Sequence, residues 1–369
     1  MHLHLLLLDE GFMSGAYTAV GLRDAGCRVA VVAAVGGHGH YDGRNISWSL
    51  APRPSSDEYL ATIDRLVRRG NFDLVLPLSE PIQALLWDAT PSWSDRIFPS
   101  TEDWQRVVLR DKRRFAELMA SRGLAIPRWC PVHDDTTLQA AVESLGLPVV
   151  VKGSTGRGGS TTWIARSPAE AADAATRARA AGVECFAQQY VSGPTYLVGG
   201  AFDEGRAGRI YAGVKHIQYP ARTGPAAVIR SIHDKQLLNT AIAAIGALAW
   251  TGIASLDLAR DVTGRFLLLE VNPRPWGSIT AAAEAGVDLF GPLVELLRGG
   301  HPQPALEYRI GVESSVFPLT LLSSASWRAG NALASAAHEL RDRAGPWHPW
   351  RQALHLAHRL ARVARNWPG

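Results

Sequence analysis

The chain has 369 residues, 38 Lys and Arg against 34 Asp and Glu, and 47% hydrophobic residues, a balance ordinary for a soluble globular protein able to bury a large core in two or three subdomains. No run approaches the roughly 18 apolar residues a membrane span needs. Three scattered cysteines (Cys27, Cys130, Cys185) without CxxC spacing leave no zinc or disulfide framework, so a reduced, cytoplasmic protein is expected, with no nucleic-acid partner. The opening MHLHLLLLDEG lacks a basic leader region and reads as a first strand rather than a signal peptide.

Residues 1–98 alternate strand and helix patterns: strands over 3–8, 29–35 and 74–78, helices over 15–25 and 57–69. Such alternation predicts a parallel sheet flanked by helices. Asp9-Glu10-Gly11 follows the first strand, where a dinucleotide fold carries GxGxxG, and this argues against a nicotinamide enzyme. Ser79 and Glu80 fall at the carboxyl end of a strand. There Glu80 either lines a cleft or opens a helix whose dipole favours an acid.

A helix start at Ser100-Thr101-Glu102-Asp103 leads into a second helical run containing Asp111-Lys112, which by itself reads as an exposed basic helix. Only four of the 38 basic residues are Lys (Lys112, Lys152, Lys215, Lys235), a usage that marks places where a compact point charge is wanted. Next comes a strand–loop–strand unit over 147–164. A buried strand ends in Lys152, enters a loop with Gly153, Gly156, Gly158, Gly159 and Ser160, and leaves through a second strand. Glycines let backbone N–H groups turn inward around phosphate oxygens; the alternative is a plain hairpin with a Gly-rich tip. The Lys precedes the glycines and a strand follows, so this is not a Walker A loop.

An Ala-rich helix is expected over 167–182, then a strand through Gln188, Gln189, Tyr190 and Val191. A hairpin follows over 196–202 and 209–214, then a loop carrying Lys215, His216, Arg222 and Thr223, then a helix over 234–250. Residues 251–278 read as two strands, 253–260 and 265–271, joined by a turn at Asp261, Thr263 and Gly264. A turn over 261–264 pairs Arg260 with Arg265 and Asp257 with Leu268. It puts Asp257, Leu268, Glu270 and Asn272 on one face. Two carboxylates and an amide oxygen suit Mg²⁺, with Mn²⁺ as substitute and substrate phosphates completing the shell; the alternative is a solvated hairpin face. Leu267-Leu268-Leu269 implies a strand buried on both sides, where an unpaired carboxylate is costly, and Arg274 stands just beyond. One helix with Gly286 near its middle is expected over 279–298. Residues 321–369 carry seven Arg and only two acids. In that tail Arg351, His355, Arg359, Arg362 and Arg365 share one helix face, opposite Leu356, Leu360, Val363 and Trp367. Such a helix suits an anionic membrane surface, a protein partner, or packing on the core.

EVNPRPWGS, with an acid 13 positions before its Glu, resembles the metal-binding signature of the ATP-grasp superfamily, in its carbamoyl-phosphate synthase, biotin carboxylase and carboxylate–amine ligase branch. The resemblance covers 99–300 well, 1–98 loosely and the tail not at all. It implies an α/β N-terminal domain (1–98), an α+β ATP-grasp fold whose two subdomains (99–185, with the Gly-rich clamp; 186–305, with the metal site) clamp ATP, and a basic helical C-terminal extension (306–369). By the same resemblance Lys112, Lys152, Gly156, Gly158, Gly159 and Ser160 hold the phosphates, while Gln188, Gln189, Tyr190 and Val191 hold adenine through the backbone. Gln188 and Gln189 depart from the charged residues often found there, which leaves the ribose contact open. Lys215, Arg222 and Arg274 face the acyl substrate, and Asp257, Glu270 and Asn272 the Mg²⁺. The implied activity is an ATP-dependent ligase joining a small-molecule carboxylate and an amine through an acylphosphate, releasing ADP and phosphate, in a monomer or homodimer. Its rivals are a phosphotransferase, a carbamoyl-phosphate or carboxyphosphate former, and a non-catalytic nucleotide-binding protein.

Overall fold

A computed structural model describes residues 2–10, 13–34, 46–54, 56–156, 159–316, 319–320 and 323. The first layer contains β1 (His4–Asp9), α1 (Met13–Asp24), β2 (Arg28–Ala34), β3 (Ile46–Ala51), α2 (Asp57–Arg69), β4 (Leu74–Pro77) and α3 (Glu80–Ala89). Its four strands are parallel in the order β3-β2-β1-β4. The leucine run of β1 is explained by burial on both faces. Leu5 and Leu7 pack with Ala19 and Leu22, while Leu6 and Leu8 pack with Tyr59 and Ile63. Edge strand β3 was not expected: ISWSLA alternates serine with large apolar residues over only six positions.

Helices α4 (Asp103–Arg110) and α5 (Lys112–Ser121) follow. Glu102 and Gln105 form a capping box on α4, and the Asp111 side chain caps α5 by accepting from the Arg113 N–H. The second sheet has β5 (Trp129–Val132), α6 (Asp135–Leu145), β6 (Val149–Gly153), β7 (Thr162–Ala165), α7 (Pro168–Ala180) and β8 (Cys185–Gln189), in the antiparallel strand order β5-β8-β6-β7. The alanines of α7 (Ala171, Ala174, Ala175, Ala178) pack with Leu138 of α6 and with Val149 and Val151 of β6. Small side chains there let helix and sheet approach closely.

The third sheet is the largest. It is built from β9 (Thr195–Asp203), β10 (Arg206–Gln218), β11 (Ala226–Ser231), α8 (Lys235–Leu248), β12 (Gly252–Arg260), β13 (Phe266–Asn272), α9 (Thr280–Glu284), α10 (Phe290–Leu297) and β14 (Glu313–Ser315), in the strand order β13-β12-β9-β10-β11-β14. One face packs on α5 and α8 through Phe115, Leu237, Ile245, Leu256 and Leu268. The other shares a core with the first layer through Leu197, Ile253, Trp276, Leu5 and Leu7. No helix among the described residues is long and apolar enough to cross a membrane.

Three expectations are corrected here. The β12–β13 hairpin pairs Arg260 with Phe266, because its connection is one residue longer than expected, and Asp257 with Glu270, because a bulge leaves Leu269 unpaired between Leu268 and Glu270. Leu268 therefore faces the α8 core, not the side of Asp257. The helix expected over 279–298 is two, α9 and α10, since Gly286 takes φ +94° just after α9. Finally, Glu313–Ser315, inside the stretch expected to be helical, pairs as a strand with β11. The amphipathic tail and its membrane or protein contacts lie outside the described residues.

The hairpin turn carries a testable electrostatic signature. Hydrogen bonds from the Thr263 side chain, from the Arg265 backbone and side chain, and from the Thr263 backbone hold Asp261 down to about 2. A carboxylate with a folded value below its unfolded one of 3.8 stabilises the fold above that pH, and the gain is lost as pH falls toward 2. Asp261→Ala is expected to flatten the loss of stability between these values in acid urea titrations; an unchanged profile would contradict the assignment.

Candidate active site

A cleft lies between the second and third sheets, with Val150, Ile164, Ala259 and Leu269 along its apolar wall and Lys152, Asp257 and Glu270 at its ionic end. The pleat builds the ionic end. Gly213, Leu197, Asp257 and Glu270 form one row across β10, β9, β12 and β13, so the two carboxylates stand directly opposite each other. Lys215 lies two positions beyond Gly213 on the same face. Its Nζ donates to Asp257 Oδ2 at 2.6 Å. From the facing sheet, Lys152 Nζ donates to the carbonyl of bulge residue Leu269 at 3.0 Å and stands 3.8 Å from Glu270 Oε2.

Burial dominates the charges here. It pushes the Asp257 carboxyl up; Lys215 opposes this, and facing Glu270 reinforces it. Burial also pushes the Lys152 ammonium down, against the pull of Glu270. Glu270 is moved the other way: burial would raise it, but Lys152, then Lys112, Lys215 and Arg274, hold it below the usual range. Three of the four lysines thus act on one carboxylate.

Asp257 Oδ1 is buried without a hydrogen-bond partner, on a residue whose cross-strand partner is Glu270. An orphaned carboxylate oxygen opposite a second carboxylate, in an oxygen-only set, fits a hard divalent cation. Asn272 is two positions from Glu270 on the same strand, and its Oδ1 accepts from an Arg274 terminal nitrogen at 3.3 Å. Among the described residues no group of three or more His, Cys, Asp or Glu that could hold a metal is found.

The other candidates are placed as follows. Lys112 donates from Nζ to the Gly156 carbonyl and from its backbone N–H to Ser154 at 2.9 Å, bracing the glycine loop at its base. Gly156 and Gly159 take φ of +115° and +79°. A Cβ on Gly159 would lie 2.5 Å from the Thr223 carbonyl, so the loop tip meets the 219–224 loop across the cleft. Ser160 is exposed, and Gly158 lies outside the described residues. Gln188 is buried between Trp129 and Val150, while Tyr190 and Val191 are half-buried along the cleft. The Gln189 N–H donates to the Arg128 carbonyl at 2.8 Å. Arg222 lines the cleft, takes φ +71° and donates to the carbonyls of Ser192 (3.1 Å) and Gly193 (3.3 Å).

Gln83 and Gly199 were not singled out in the sequence, whereas Glu80 was. Gln83 Nε2 donates to the Pro273 carbonyl at 2.8 Å, and Glu80, read beforehand as either cleft-lining or helix-opening, both opens α3 and accepts from Arg274 Nε at 2.7 Å. Trp276 lies over β9, where a Cβ on Gly199 would come within 2.5 Å of its ring. The Gly199-Gly200 doublet inside a strand was the available signal for that close approach.

Residues 117–284 match the family model of the ATP-grasp domain. It is 28% identical over 202 residues to a D-alanine–D-alanine ligase of Chromohalobacter salexigens, covering 51% of this chain and 64% of that enzyme. The corresponding enzyme of Stutzerimonas stutzeri is 30% identical over 183 residues, covering 46% of this chain and 56% of its own length. The matched stretch thus spans less than two thirds of either relative. Among solved structures, a biotin carboxylase–β,γ-ATP complex from Campylobacter jejuni superposes with TM-score 0.66 at 17% identity, over 84% of this chain and 74% of that one. An L-amino acid ligase from Bacillus licheniformis gives 0.62 at 16% identity, over 80% of this chain and 74% of that one. The fold is an ATP-grasp fold preceded by an α/β layer.

Proposed function

We propose that this protein is an ATP-dependent carboxylate–amine ligase working through an acylphosphate. The observation that carries the reading is the opposed Asp257–Glu270 pair with its orphaned oxygen, bracketed by Lys215 and Lys152 beside a glycine loop. Asp257, Glu270 and Asn272 would hold Mg²⁺, which when bound neutralises phosphate charge. The apolar wall of Val150, Ile164, Ala259 and Leu269 accepts the adenine, with the Gln189 carbonyl and Val191 backbone offering its polar edge partners. Lys152 and Lys112 lie on the phosphate side, and the glycine loop closes over the triphosphate and excludes water. Arg274 orients the substrate carboxylate for attack on the γ-phosphorus, with ADP leaving. The amine then attacks the acyl carbon and phosphate leaves, forming an amide. Phosphoryl transfer demands mainly positioning and charge neutralisation, which this set of side chains supplies. Two ligases of amino acids among the similar proteins support amino acids as substrates.

The test is ADP and phosphate release against panels of carboxylates and amines, singly and paired. Release of both in equal amounts, dependent on a matched pair, is expected. ADP release without phosphate would instead indicate a phosphotransferase, and no release with any pair would overturn the reading.

A further inference from the structure

The segment that leaves β13 after Asn272 packs on β9 through Trp276 and is also gripped by the first layer. Two successive residues are gripped by the first turn of α3: Gln83 Nε2 donates to the Pro273 carbonyl at 2.8 Å, and Arg274 Nε donates to Glu80 Oε2 at 2.7 Å. Glu80 and Gln83 are three positions apart and share a helix face. Gln83 is buried, while the Arg274–Glu80 ion pair is partly buried.

Arg274 then reaches back toward the carboxylate pair. Besides Glu80 it donates to the Pro275 carbonyl at 3.0 Å and to Asn272 Oδ1 at 3.3 Å, three of the five N–H groups of a guanidinium. A guanidinium cannot accept, so the Asn272 amide must present its oxygen to Arg274 and turn its NH₂ away. Oδ1 keeps a second lone pair, and Asn272, two positions from Glu270, shares its strand face. Glu80 also offsets the positive charge of Arg274, which would otherwise oppose a cation beside Asn272.

We propose that Glu80 is a positioning residue for the metal end of the site, acting through Arg274 to hold the Asn272 amide oxygen toward a divalent cation. The proposal rests on the metal-dependent reading above. Partners that orient a metal ligand typically contribute about 10–100-fold in metal affinity. Glu80 belongs to the first layer, which makes that layer part of the metal site rather than an adjoining domain.

The probe is Mn²⁺ titrated by calorimetry into protein saturated with ADP, alongside ADP binding without metal and thermal melting. Glu80→Ala is expected to weaken Mn²⁺ affinity by about 10-fold or more, with metal-free ADP affinity and melting temperature close to those of the unaltered protein. Glu80→Gln, which keeps an oxygen acceptor for Arg274 Nε, is expected to recover most of the loss. If both variants bind Mn²⁺ like the unaltered protein, the proposal is overturned. It is also overturned if Mn²⁺ affinity, metal-free ADP affinity and melting fall together, because Glu80 is then only a brace between layers. Absence of Mn²⁺ binding by the unaltered ADP complex would overturn the metal-dependent reading itself, a result separable from both of these.

Discussion

Glu270→Gln is expected to lower ADP release by about 100-fold or more, a loss of roughly 3 kcal/mol of transition-state stabilisation. The substitution keeps shape and hydrogen-bonding reach but removes one of two opposed carboxylates. Lys152, Lys112, Lys215 and Arg274 all pull on that charge. With Gln in its place, the site that must gather a cation beside a triphosphate carries excess positive charge of its own. The same geometry sets a stability effect. A glutamate held below its usual 4.5 stabilises the fold above that pH, and the gain is lost as pH falls through the lower folded value. The variant loses this acid dependence. Near-unchanged ADP release at saturating Mg²⁺ would remove Glu270 from the metal set.

Lys152→Ala is expected to raise the KM for ATP and lower kcat, each by roughly 10-fold or more, since a point charge on the phosphates acts on both bound and transferring groups. The structure adds a reason for a large effect. Lys152 is 5% exposed, and its ammonium is positioned by the Leu269 carbonyl, so no neighbouring side chain or water takes over the place at once. Burial also lowers its folded pKa below the ordinary 10.5. Between those values the unfolded chain binds more protons, so stability rises with pH across that window. In the alanine variant that alkaline rise should be missing. Unchanged nucleotide affinity and rate would reduce the glycine loop to a hairpin tip.

The legible parts of this chain were those where chemistry and local pattern coincide. Asp257 and Glu270 announce themselves by residue type on a hairpin with a clear turn, and Lys152 by ending a buried strand before four glycines. The register between the carboxylates was not legible, because a bulge in Leu267-Leu268-Leu269 depends on which leucine the α8 core accepts, and the three are identical as letters. Edge strands β3 and β14 escaped because six and three residues carry little periodic signal. The hydrogen bonds of Arg222 depend on its left-handed backbone and on the Ser192 and Gly193 carbonyls, which only the folded chain brings near. The Glu80–Arg274 pair joins residues 194 positions apart, beyond any local pattern.

The unpaired Leu269 also sets a length scale. In a regular strand, two side chains entering the same cleft are at least two residues, or about 6.6 Å, apart. The bulge admits Leu269 and Glu270 in succession, so an oily neighbour and a charged one are offered within a single step of about 3.3 Å. A nucleotide changes from flat and greasy to densely anionic over a short span, and this strand changes with it. Removing Leu269 would leave a smoother ladder in which Asp257 still meets Glu270. The cleft would lose the wall beside its charges, and Lys152 the carbonyl that aims it.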